Sequence, residues 1–270
     1  MTIGLLSRFS APSKMTTYFS RLLSVLPVIT TAAIILATLS WTNAANADAR
    51  AITEALKNPA RMAGDSERDA GRKPAQVLAF LGLKPGMTVL DVMASGGWYT
   101  EVMSLAVGEK GKVYAQNSPA FLQYRDGMYE KAISSRLEGN RLKNVTRINA
   151  DFNKLGIDNT IDIAITALNF HDIYNRSPEA GIALLKDIKK SLKPGGVFGL
   201  IDHNGAAGAD NASIHRMPVQ DAVDAAKAAG FIVETSALLA SKDDDLTKMV
   251  FSPELRGKTD RFLIKMTKPK

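Results

Sequence analysis

The stretch Val89 to Glu101, VLDVMASGGWYTE, constrains the fold more than any other part of the chain. Thr88 to Val92 is an apolar run carrying one acid, Asp91. It breaks at Gly96-Gly97, and apolar residues return at helical spacing through Val102, Met103, Leu105 and Ala106. A buried run that gives way to helical spacing across a glycine pair predicts strand, tight turn, helix. Such a turn brings backbone N–H groups and the positive end of a helix over the strand's C-terminal edge, and paired glycines let a ligand approach without a Cβ in the way. The stretch is therefore a candidate cofactor site.

The same alternation continues along the chain. Pro74 to Leu81 predicts a helix with proline in its first turn, and Leu83 to Gly86 a turn into the first strand. Lys112 to Gln116 predicts a second strand ending at Asn117. Pro119 to Leu142 reads as one long amphipathic helix, with Phe121, Tyr124, Met128, Ala132 and Ile133 inward and Lys131, Arg136, Glu138 and Arg141 mostly opposite. Val145 to Asn149 is a third strand followed by Asp151-Phe152, and Ile161 to Ala167 a fourth followed by Asn169-Phe170-His171-Asp172. A helix over Pro178 to Leu192 leads through Lys193-Pro194-Gly195-Gly196 into a fifth strand, Val197 to Ile201, closed by Asp202-His203. Its near-continuous apolar character fits a parallel strand covered on both faces. A loop with His215-Arg216, a helix over Val219 to Ala229, a sixth strand at Phe231 to Leu239 and a last strand at Arg261 to Thr267 complete the chain. Strands alternating with helices predict an α/β fold, a doubly wound and mostly parallel sheet with helices on both faces. Ligands of such sheets sit at the carboxyl ends of the strands, where every residue group that breaks the apolar pattern falls.

Residues 1 to 47 contain Arg8, Lys14 and Arg21 and no acid, then an apolar run from Leu22 to Trp41, then Ala45-Asn46-Ala47. A basic start, an apolar stretch and an Ala-x-Ala site predict a cleaved signal peptide, with the true start at Met15. The alternative is an uncleaved anchor, since a run of this length could span a membrane. Residues 48–72, polar and alanine-rich, read as an N-terminal arm over a domain at 73–270. Losing the leader removes three of 34 basic residues and none of 27 acids, so the net charge falls from +7 to +4. The remaining cations form no stripe with interleaved aromatics, so no nucleic-acid partner is expected. With no cysteine, disulfides, thiolate catalysis and zinc-thiolate sites are excluded.

LKPGMTVLD followed by GGWYTEV, and LKPGG before the fifth strand, resemble the class I S-adenosylmethionine (SAM) dependent methyltransferases. Aligned on Asp91, that family's glycine triplet falls on Met93, Ser95 and Gly97, so only the third glycine is kept. The resemblance implies a Rossmann-like, seven-stranded sheet and SAM as cofactor. It implies that Asp91, Ala94, Ser95, Gly96 and Gly97 face the methionine part of SAM, that Asn117 stands where an acid usually binds the ribose, that Asp151-Phe152 take the adenine, and that Asn169 borders the site. As an amide, Asn117 binds a diol more weakly than a carboxylate, and it reads equally as a helix N-cap. The resemblance is closest to a group of exported, methyltransferase-like proteins of unassigned substrate, in which HD, DH, HR and GKTDRF recur, here His171-Asp172, Asp202-His203, His215-Arg216 and Gly257 to Phe262.

All three histidines lie where the site should be. His171, with Asp172 or Asp202 orienting it, is the candidate catalytic base, and His203 completes the catalytic set. A metal held by the histidines with Asp172 or Asp202 lacks a local ligand spacing, so none is expected. The expected function is methyl transfer to a small-molecule or envelope acceptor in the periplasm or another exported location. SAM is made in the cytosol, so the leader and the cofactor pull apart. The alternative is an exported ligand-binding module on a methyltransferase fold.

Overall fold

The computed structural model describes residues 46–270; the expected leader, but for its last two residues, lies outside them. The central sheet has seven strands: β1 (Thr88–Val92), β2 (Lys112–Asn117), β3 (Val145–Asn149), β4 (Ile161–Ala167), β5 (Leu192–His203), β6 (Ile232–Ser236) and β7 (Arg261–Thr267). Their order is β3-β2-β1-β4-β5-β7-β6. Strands β1 to β5 pair in parallel, and β7 is antiparallel to both β5 and β6. The order reverses between β1 and β4, and the paired Asp91 and Ile165 bring those two carboxyl ends together at the switch point.

Helices cover both faces: α1 (46–55), α2 (Asp69–Arg72), α3 (Pro74–Leu81) and α4 (Trp98–Val107), then α5 (Pro119–Leu122), α6 (Tyr124–Leu137), α7 (Phe170–Tyr174), α8 (Pro178–Ser191) and α9 (Val219–Ala228). Alternate strand residues divide between two cores. Val89, Val113, Ile163 and Leu263 pack with Leu78 and Leu81 of α3 and Val102 and Met103 of α4. Leu90, Ala164, Phe198 and Ile264 pack with Leu185 and Ile188 of α8 and Ala222 and Ala226 of α9. This two-sided burial is why β1, β4 and β5 read as apolar runs. Proline begins α3, α5 and α8, and the Ser118 and Ser177 hydroxyls cap the last two. Ser118 thus holds the N-cap place that Asn117 was also expected to fill.

The arm is docked rather than loose. Ile52 and Leu56 join the core beneath α3, and Arg61 pairs with Asp69 at 2.6 and 2.8 Å. Two expectations are corrected. The helix expected over Pro119 to Leu142 is broken, because Arg125, Asp126 and Gly127 have left-handed backbone inside α6. Two of the side chains expected inward are consequently not core: Tyr124 is 48% exposed and Met128 39%. Arg136, expected outward, is buried between Asp65 and Glu101. No helix among the described residues is long and apolar enough to cross a membrane.

Candidate active site

A cleft of about 410 Å³ opens at the carboxyl ends of β1 and β4, within the roughly 300–1,000 Å³ typical of small-molecule sites. Asp91, Met93, Ala94, Ser95 and Gly96 form one wall, Ala167, Leu168 and Asn169 another, and Tyr129, Ala132 and Arg136 of α6 a third. The arm closes it with Met62, Arg68 and Arg72, beside Trp98 and Tyr99 of α4. A larger cleft of about 790 Å³ lies beside Gly108, Lys112 and Asn144, at the amino end of β2 and so at the wrong edge of the sheet.

The turn after β1 keeps the shape of a glycine-rich loop without most of its glycines. Met93, Ser95 and Gly97 have φ of 53°, 53° and 79°, so all three aligned triplet positions are left-handed. For a residue with a Cβ that conformation costs about 1–2 kcal/mol. Neighbouring amides hold it: Gln116 Oε1 accepts from Met93 N–H at 2.9 Å, and Asn117 Oδ1 accepts from Ser95 N–H at 2.9 Å. Asn117 Nδ2 also donates to the Ser95 carbonyl at 3.2 Å. The buried Asn117 side chain is therefore spent on the turn. The glycines that remain make room for α6: a Cβ on Gly97 would lie 2.5 Å from Ile133 Cδ1, and one on Gly96 3.0 Å from Ala132 Cβ.

Asp91 is buried under α4, where Thr100 Oγ1 donates to it at 2.6 Å. Burial dominates and raises its pKa to about 7, against the hydrogen bonds from Thr100 and the charges of Arg136 and Arg72. Arg72 stacks 4.5 Å above the Trp98 ring and makes no side-chain hydrogen bond or ion pair among the described residues. Burial lowers its pKa. Asn169 donates to the carbonyls of Ala167 at 2.9 Å and Met93 at 3.3 Å, bridging the two strand ends. Asp151 and Phe152 follow β3 outside this cleft, Asp151 exposed and Phe152 half-buried.

A second cluster is built at the strand ends of β4 and β5. His171 lies in α7, 2% exposed; its backbone N–H donates to Asp202 Oδ2 at 2.8 Å, and its Nδ1 lies 2.7 Å from Asp202 Oδ1. Burial opposes the imidazolium, but the charge of the fully buried Asp202 and hydrogen bonds to Asp172 and Asp202 carry the His171 pKa up to about 10. The neighbouring carboxylates thus favour the imidazolium form of the ring, which a general base has to lose before it can take up a proton. His203 is pushed the other way, to about 4, by burial above all, and its Nδ1 lies 2.9 Å from Thr259 Oγ1.

Sequence reading did not single out Arg68, Arg72, Tyr99 and Tyr129 as cleft residues; it placed His215 at the site without pairing it with His171. For the arginines the signal was the SERDAGR segment of the arm, Ser66 to Arg72, and for Tyr99 its place in the Val89 to Glu101 stretch. The recurring motifs meet here: Arg216 is fully buried and bonds Asp244 at 2.7 and 2.9 Å, and Arg261 donates to the Gly71 carbonyl at 2.6 Å, tying β7 to the arm.

Residues 50–157, less than half of the chain, match the model of the protein-L-isoaspartate(D-aspartate) O-methyltransferase family. A SAM-dependent methyltransferase from Aquifex aeolicus is 25% identical, with a TM-score of 0.55 over 82% of this chain and 98% of that one. Phosphoethanolamine N-methyltransferase 2 of Haemonchus contortus, solved with SAM, is 14% identical at a TM-score of 0.51, over 74% of this chain and 53% of that one. The [4+2]-cyclase SpnF is 17% identical at 0.53, over 74% and 81%. The last two share the fold alone. No curated protein sequence matches the chain.

Proposed function

We propose, from the premise that the chain is a class I SAM-dependent methyltransferase, that it methylates a small-molecule or envelope acceptor at the cleft between β1, β4 and the arm. The observation that carries this reading is the cleft's chemistry. Arg68 and Arg72 bring positive charge to a cavity walled by Asp91 and by the rings of Trp98, Tyr99 and Tyr129. An amino acid bearing a sulfonium matches that set: Arg72 would hold its carboxylate, and aromatic faces attract its cation.

Bound SAM supplies a methyl group already activated by the sulfonium charge. What remains for the protein is alignment and exclusion of water, which can supply most of the rate when two reactants are held in line. The docked arm closes the cleft on the methionine side. Asn169 fixes the gap between the strand ends, and His171, Asp172, Asp202 and His203 border the side from which an acceptor approaches.

Calorimetry with SAM and S-adenosylhomocysteine tests the reading. Both should bind, and Arg72→Ala should weaken SAM by about 1.5–3 kcal/mol, the scale of a hydrogen bond to a charged group. No heat and no thermal shift at millimolar SAM would overturn it and leave an exported ligand-binding module. Export with cleavage after Ala47 is part of the proposal, on the strength of the basic start, apolar run and Ala-x-Ala site. N-terminal sequencing from the native cell should begin at Asp48. A chain that keeps Leu22 to Trp41 and sediments with membranes would be anchored instead.

A further inference from the structure

Beside the cleft, two neighbouring side chains, His171 and Asp172, converge on one point with His215 from a loop more than 40 residues further along. His171 Nε2 lies 3.3 Å from Asp172 Oδ1 and 3.4 Å from His215 Nδ1, and His215 Nδ1 lies 3.0 Å from Asp172 Oδ1. Atoms that each bond one ion at roughly 2.0–2.1 Å stand about 3.0 Å apart in octahedral and about 3.4 Å apart in tetrahedral geometry. The observed triangle spans that interval.

The surroundings of the triangle match a ligand shell as well. His171 faces the fully buried Asp202 through Nδ1, which fixes the ring and leaves Nε2 as the outward atom. A carboxylate behind a histidine is the usual second layer of a metal site, and it raises the basicity of the ligating nitrogen. His215 reaches the triangle on left-handed backbone, φ 56°, a costly state for a residue with a Cβ. The next residue holds it there: fully buried Arg216 bonds Asp244 and the carbonyls of Asn204 and Lys248. Asp172 is exposed and His215 half-buried, so the open side of the triangle faces solvent. It also borders the cleft, because Asn169 lines the cleft two residues before His171, and Tyr129, a cleft residue, feels the charge of Asp172.

We propose that His171, Asp172 and His215 bind a divalent transition-metal ion of the zinc, manganese or ferrous class, whose open positions receive an oxygen of the methyl acceptor. Two imidazoles and one carboxylate suit these ions, whereas magnesium and calcium prefer all-oxygen shells. The clause on the acceptor rests on the methyltransferase reading; the ion does not.

The test uses untagged full-length protein, stripped with chelator and titrated with zinc chloride by calorimetry and with cobalt(II) by visible absorption. One equivalent per chain should bind, with cobalt bands of a site holding nitrogen ligands. His215→Ala and Asp172→Asn should each lower zinc affinity at least 10-fold, and Asp202→Asn about 10- to 100-fold, the range for a lost second-layer partner. Asp172→Asn changes an exposed side chain, so it decides the matter even if a histidine variant does not fold. No zinc binding by the stripped protein, or an affinity unmoved by Asp172→Asn, would overturn the proposal. SAM titrated into the same stripped protein separates the two readings, because the cofactor cleft does not include the three ligands.

Discussion

At the scale of single residues, the departures from the glycine triplet turn out to be substitutions of side chain without substitution of backbone. Met93 and Ser95 keep left-handed φ, and Gln116 and Asn117 carry the amides that hold them. Ser95→Gly should therefore stabilise the fold by up to about 1 kcal/mol, since it removes the steric cost at positive φ and loses part of that gain to the freer unfolded chain. Asn117→Ala should cost about 1–3 kcal/mol, both by leaving the half-buried backbone N–H and carbonyl of Ser95 without partners and by releasing the left-handed turn they hold. In the Ser95→Gly background the cost of Asn117→Ala should be smaller, because the glycine holds the turn unaided. Denaturant midpoints of the four proteins check this; strictly additive effects would show that Asn117 does not act through the turn. The sequence carried the place of this turn but not the duty of Asn117. An amide after β2 looks the same whether it meets a ribose or a backbone, and only the register of Asn117 beside Ser95 decides between them.

At the scale of elements, strands were more legible than helices. β1, β3, β4 and β7 have the bounds read from the sequence; for β1 and β4 this is because a strand covered on both faces must be apolar along its length. Strand β5 starts earlier than its apolar run, at Leu192, since backbone pairing with Ile161 extends through the LKPGG turn. α6 was misread for a physical reason. Helical spacing of Phe121, Tyr124 and Met128 suggested an inward stripe, yet Gly127 and its two predecessors adopt left-handed backbone and turn those side chains outward, where Phe121, Tyr124 and Tyr129 stack on one another. Arg136 was misread in the opposite direction. A cation on a helix usually faces water, but here Asp65 of the arm and Glu101 of α4 take it inside, with Arg141 as a second partner of Glu101. That network is what fastens the arm to the cleft, and nothing in local spacing announces partners 71 and 35 residues away.

At the scale of the whole molecule, two buried carboxylates set opposite limits on the pH at which the fold is most stable. Glu101 is fully buried; burial alone would raise its pKa, but hydrogen bonds from Arg141 and from the Met62 N–H, with the charge of Arg136, lower it below 4.5. Its contribution is present above the unfolded pKa and is lost as pH falls through the folded one. Asp91 runs the other way. Its pKa rises from 3.8 to about 7, so between those values the folded chain keeps a proton that the unfolded chain has released. Stability from this group is complete below about pH 4 and declines until pH passes 7, by an amount of the order of 4 kcal/mol at the limit. Without cofactor, the wild-type protein should be most stable near pH 5 and weaken toward pH 8. Asp91→Asn cannot ionise and should flatten the alkaline side while leaving the acid side unchanged. Urea unfolding of both proteins from pH 4.5 to 8.5 measures the difference directly. If the wild-type curve does not fall between pH 5 and 8, or if Asp91→Asn falls just as steeply, Asp91 is ionised in the fold through that whole range. The carboxylate would then need a buried cation as partner, and Arg72, which has no ion-pair partner among the described residues, would be the one to reassign.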